Sequence, residues 1–127
     1  MKDLYIVLEV AATTAQVFYS PVPCRGNVNS VKVAYDQIMD ADETITIGRG
    51  ATTVNLVTPT DALAAGTVID GVPDTTSKAL IFDPDSTTAA NKVLKISVAD
   101  TVDTAGTLVI LVEFDDSAYQ EQSASEA

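Results

Sequence analysis

Residues 30–37, SVKVAYDQ, alternate apolar and polar side chains, with Val31, Val33 and Tyr35 on one side and Lys32, Ala34 and Asp36 on the other. A period of two sends successive side chains to opposite faces of a strand, so the segment reads as a β-strand with one dry and one wet face. The pattern recurs along the chain. Residues 43–48, ETITIG, turn Ile45 and Ile47 inward; residues 52–58, TTVNLVT, do so with Val54 and Leu56. Residues 92–100, KVLKISVAD, set Leu94, Ile96 and Val98 against Lys92, Lys95 and Ser97. These inward side chains are the expected core. Glycine, proline, asparagine and aspartate cluster between the runs, and no long segment has a helical period. The chain is therefore expected to form an all-β domain, a single antiparallel β-sandwich of about eight strands.

Two segments break the alternation. Residues 4–10, LYIVLEV, and 108–114, LVILVEF, are apolar at nearly every position, so neither face is built for water. If Leu4, Ile6 and Leu8 point inward, Tyr5 and Val7 point out; likewise Val109 and Leu111 lie opposite Leu108, Ile110 and Val112. Tyr5, Val7, Val109 and Leu111 are thus the candidate oligomer-interface residues. A closed homo-oligomer, in particular a trimer, would cover them without open-ended growth. Residues 78–84, KALIFDP, form a shorter apolar run stopped by Pro84.

The connections are polar. Residues 59–66, PTDALAAG, suit one helical turn, with Thr60 or Asp61 capping it and Gly66 ending it. The opening residues 1–18 read as a first strand rather than a secretory signal, because Asp3 and Glu9 interrupt the apolar run. The sandwich is expected over residues 1–116, followed by a flexible acidic tail over 117–127, DDSAYQEQSASEA being its approach and body.

The 127 residues carry 7 lysines and arginines against 18 aspartates and glutamates, a formal charge of −11. So acidic a surface repels phosphate, and neither nucleic acid nor an anionic membrane is an expected partner. Histidine is absent, which removes the commonest general base and zinc ligand. The lone cysteine, Cys24, has no histidine to activate it and reads as a small structural side chain. The acidic clusters Asp40–Glu43 (DADE) and Asp83–Asp85 (DPD) lack the alternate-position spacing of an EF-hand and read as solvated turns. GRGA around Arg49 lacks the lysine and helix of a phosphate loop and reads as a turn. No catalytic, cofactor-binding or metal-binding residue is expected, and no enzyme.

Taken in order, VPCRGNVNSVKVAYDQIMDADETITI (residues 22–47), PTDALAAGTVI (59–69), ALIF (79–82) and GTLVILVEF (106–114) resemble small tailed-phage proteins that decorate, or cement, the head. The resemblance covers roughly residues 17 to 115. It implies a jelly-roll-like β-sandwich, often trimeric, made in the host cytoplasm and bound to the major capsid protein on the outer surface of the virion. It implies no catalytic residue. The long apolar first strand and the loop around Asp83 to Asn91 depart from the family pattern. An exposed β-sandwich module that attaches to a carbohydrate or receptor is the alternative, since sandwiches host both roles; the scarcity of aromatic side chains favours the structural role.

Overall fold

A computed structural model describes residues 1–40, 43–59 and 62–117 and shows ten strands in two antiparallel sheets packed face to face. The strands are β1 (Lys2–Val10), β2 (Gln16–Pro21), β3 (Gly26–Tyr35), β4 (Ile45–Arg49) and β5 (Thr52–Val57), then β6 (Val68–Asp70), β7 (Val72–Pro73), β8 (Ile81–Phe82), β9 (Val93–Val98) and β10 (Gly106–Asp115). Sheet A runs β1-β10-β3-β6, with β8 also paired to β3; sheet B runs β2-β9-β4-β5-β7. Ten strands stand where about eight are expected, and three of them, β6, β7 and β8, are only two or three residues long.

Four ladders are nested: β1 with β10, β2 with β9, β3 with β6, and β4 with β5. They are successive rungs of one long two-stranded ribbon whose turn is the β4–β5 hairpin. Rolling that ribbon alternates its segments between the sheets and adds the pairings β10–β3 and β9–β4. That is a jelly roll, the expected fold. The short strands β7 and β8 fall within the long connection from β6 to β9.

The core lies between the sheets. Val31, Val33 and Tyr35 face it from β3, and Leu108, Ile110, Val112 and Phe114 from β10. Phe82 meets Phe114 edge to face, ring centres 5.8 Å apart, which closes the β8 end of the core. Six of the seven core residues read from the sequence strands are buried: Ile45, Ile47, Val54, Leu94, Ile96 and Val98. Leu56 is not; it is 39% exposed. The ladder shifts between Ile47, which pairs with Asn55, and Gly48, which pairs with Thr53, so β5 carries an extra residue at Val54. A bulge of one residue turns every later side chain to the other face. Val54, Asn55 and Val57 therefore face inward, and Leu56, opposite Thr46, faces water.

Residues 62–65 form no helical turn. Leu63 instead makes an antiparallel bridge with Met39, and Thr67 donates its backbone N–H to the Ala64 carbonyl. Gly66 sits at φ +82° in that tight turn, where a left-handed residue is required at the third position. The proposed caps Thr60 and Asp61 lie outside the described residues, as do residues 118–127 of the acidic tail. The run KALIFDP contributes only Ile81 and Phe82 to a ladder, because residues 75–79 are turn.

Gly71 makes a sharp corner. Asp70 before it belongs to sheet A and Val72 after it to sheet B, so the chain changes sheets across one residue. The Gly71 N–H donates to the Val31 carbonyl at 2.7 Å, and the side-chain amide of Asn55 lies directly against its Cα. A side chain there would occupy the space of the Asn55 Oδ1.

Candidate interaction surface

The outward side chains of sheet A are set by register. Tyr5, Leu111, Lys32 and Asp70 form one cross-strand row; Val7, Val109, Ala34 and Val68 form the next. Side chains directly opposite on neighbouring strands touch, so the rows fuse into one band, apolar at Tyr5, Leu111, Val7, Val109, Ala34 and Val68 and ending on β3 and β6 of the first row in the charged pair Lys32 and Asp70. Tyr5 is 67% and Val7 64% exposed, and Val68 is similarly open. A shallow trough of about 190 Å³ runs over Ala34, Val68, Val109 and Leu111. All four interface candidates read from the sequence therefore lie together, and no other part of the described chain covers them. The expectation that β1 and β10 need two covered faces holds for the inner face alone. Val68 was missed because TVID, residues 67–70, is too short to show a period. Its β-branched pair between Gly66 and Gly71 was the available signal.

Polar rows bound the band along the strands. On one side stand Asp3, Glu113 and Ser30; on the other, Glu9 and Thr107. Asn29 Nδ2 donates to Glu113 Oε1 at 2.7 Å, and Thr107 Oγ1 donates to Glu9 Oε1 at 3.0 Å. Asp36 Oδ1 accepts the Thr107 N–H at 2.8 Å. These neutral donors fix the carboxylates without cancelling their charge. The one cation of the band, Lys32, pairs with Asp70 at 2.7 Å. Both of those side chains are exposed, so the pair adds little to stability.

The remaining sequence candidates lie at strand ends, bends and turns. Cys24 lies on the bend between β2 and β3, two residues before β3 begins, half-buried against the core. Burial first, and Asp116 second, push its thiol above the ordinary value, which disfavours the reactive thiolate. Asp83 is a turn residue as expected: its Oδ1 accepts the Asp85 N–H at 2.9 Å. Arg49 ends β4 and donates from Nη1 to the Ile81 carbonyl at 2.8 Å, linking the hairpin of sheet B to β8 of sheet A.

Glu43 departs from the solvated-turn reading. Asp40, Glu43 and Asp103 bring carboxylate oxygens within 4.8 Å of one another, and Glu43 is only 1% exposed. Its Oε1 accepts the Asp103 N–H and its Oε2 the Asp40 N–H, each at 3.1 Å. A carboxylate with both oxygens committed to backbone donors is a tie between two loops. Asp42 of the same cluster lies outside the described residues.

A second concavity, of about 210 Å³, lies on the outer face of sheet B, lined by Thr46, Gly48, Thr52, Thr53, Lys95 and Ser97 among others. Tyr19, paired with Lys95 in the β2–β9 ladder, stands exposed beside it.

No protein-family model matches the chain, and no curated protein matches it.

Proposed function

We propose that the protein is a structural component of a virion, a decoration protein that binds the major capsid protein on the outside of a phage head and stabilises the shell by contact. The observation that supports this reading is the exposed apolar band on the outer face of sheet A of the jelly roll. An exposed apolar patch of this kind, rimmed by polar residues, is the signature of an interaction site. The raised pKa of the half-buried Cys24 thiol and the two backbone hydrogen bonds accepted by Glu43 support a structural role for each. The reading places no step of chemistry on the chain. The test is co-expression with the major capsid protein of the same genome and imaging of the purified shells. Regular density on the outer surface, lost with Val7→Glu, Leu111→Glu in a protein that still folds, is the expected result. Bare shells with wild-type protein present would overturn it.

The resemblance also implies a homotrimer; the sequence-based reading sets its contact at Tyr5, Val7, Val109 and Leu111, on the same band, where a shell and a second copy would compete. The attachment-module alternative rests on a different place, the hydroxyl-lined concavity at Lys95 beside Tyr19. Glycan-array binding abolished by Tyr19→Ala would favour it over the structural role.

A further inference from the structure

We propose that the outer face of sheet A receives an apolar surface rimmed by lysine or arginine on a different protein, and not a second copy of this chain. The inference rests on the reading of this face as the docking surface and names the chemistry of its occupant.

Size is the first argument. A stable interface takes about 20 to 30 residues from each side. The apolar band offers Tyr5, Val7, Ala34, Val68, Val109 and Leu111, far fewer, so the rim must enter any stable contact. Sign is the second. The rim is acidic at both ends of the band, with Asp3 and Glu113 at one and Glu9 at the other. Two copies laid face to face in the same strand direction set each carboxylate end over its own kind. Turned end for end, they set Asp3 and Glu113 over Glu9. Either arrangement opposes like charges, and such contacts are strongly disfavoured. Placement is the third. Glu113 is hydrogen-bonded to Asn29 and Glu9 to Thr107, which favours positions of both carboxylates at the ends of the band. Negative charges around an apolar centre match a partner with the opposite rim. The overall charge of −11 steers such a partner inward.

The test uses the full isotope-labelled chain and three probes: a β-hairpin peptide alternating valine and tyrosine with lysine, the same hairpin with glutamate for lysine, and oligolysine of equal charge. The expected result is that the lysine hairpin shifts the methyl signals of Val7, Val109 and Leu111. It should bind about tenfold or more tighter than either control. That preference should shrink as salt rises from about 50 mM to about 500 mM. Leu111→Ser should abolish binding, and Glu9→Gln with Glu113→Gln should reduce the preference, both with the folded spectrum retained. Sedimentation should give the mass of one chain. Equal binding of the glutamate hairpin or of oligolysine, or shifts elsewhere on the molecule, would overturn the proposal. So would an oligomer that Val7→Glu dissociates, since the occupant would then be a second copy. Undecorated shells together with a strong lysine-hairpin preference would remove the capsid reading and leave the surface assignment standing. Decoration unaffected by Leu111→Ser would do the reverse.

Discussion

Substituting Gly71 by alanine should destabilise the fold through one identifiable collision, and a second substitution should relieve it. The corner residue cannot slide away, because its N–H is bonded to the Val31 carbonyl at 2.7 Å. A Cβ at position 71 would overlap the Asn55 Oδ1 and lie 3.0 Å from Asn55 Cγ and 3.2 Å from Val31 Cβ. Overpacking of this kind costs about 1–3 kcal/mol. Asn55 is 1% exposed and its Oδ1 accepts no hydrogen bond from the described residues. Asn55→Ala therefore loses packing but also removes a buried unpaired acceptor, itself worth about 1–3 kcal/mol of penalty. In the double variant the new methyl enters the space that the amide leaves. The unfolded chain also loses entropy, which favours the native state by about 0.4–1 kcal/mol. The Val31 contact remains tight and limits the recovery. The double variant should thus be about 1–3 kcal/mol more stable than the sum of the single changes implies. Urea unfolding of the four proteins at a common m-value measures this. Additivity within about 0.5 kcal/mol, or a harmless Gly71→Ala, would refute the reasoning.

Three further outcomes are expected. Leu56→Thr should change stability by less than about 0.5 kcal/mol, being a surface change, whereas Ile96→Ala, at a fully buried site, should cost about 2–5 kcal/mol by the same urea assay. Glu43→Gln leaves one oxygen for two backbone donors and should cost about 1–3 kcal/mol, while chelator leaves the wild-type melting temperature unchanged; a sharp fall in chelator would reassign the cluster as a cation site. Cys24 should alkylate more slowly at pH 8 than a free thiol and accelerate only at higher pH, and Cys24→Ser should leave assembly intact. Because the folded thiol titrates above the unfolded value, its linked stability is whole below the ordinary pKa and is lost as pH rises through the folded one, which unfolding between pH 7 and pH 10 would reveal.

Period-two alternation carried the fold wherever a strand had one wet face. It placed Val31, Val33, Tyr35, Leu94, Ile96 and Val98 correctly because each strand is regular through those positions. It failed at Leu56 for a reason no periodicity reveals: the bulge at Val54 is a property of how β5 meets β4, and Val-Asn-Leu-Val is apolar on both phases except at Asn55. Residues 1–18, expected as one first strand, are split between β1 and β2; β2 gave no sign of itself because its inward side chains, Gln16, Phe18 and Ser20, are less apolar than the outward Val17, Tyr19 and Pro21. The candidate surface was legible in β1 and β10, whose second apolar face had no use within a two-layer fold. Its fourth strand and the acidic rows at its ends were not, because register across 38 and 84 residues of sequence places Asp70 beside Lys32 and Asn29 beside Glu113. The burial of Glu43 was equally hidden, since its second partner, Asp103, is 60 residues away.

The rolled ribbon also fixes the order in which the molecule can be completed. β10 lies between β1 and β3, so until it arrives β1 has no strand beside it and sheet A is divided in two. The first of these ten strands along the chain must therefore wait for the tenth, carrying Leu4, Ile6 and Leu8 unburied on one face and Tyr5 and Val7 on the other. Closure across so long a stretch of chain is slow, and an unpaired apolar strand is vulnerable to mispairing while it waits. A ribosome that stalls before residue 106 releases no smaller version of this domain, only a half-built sheet with its centre missing.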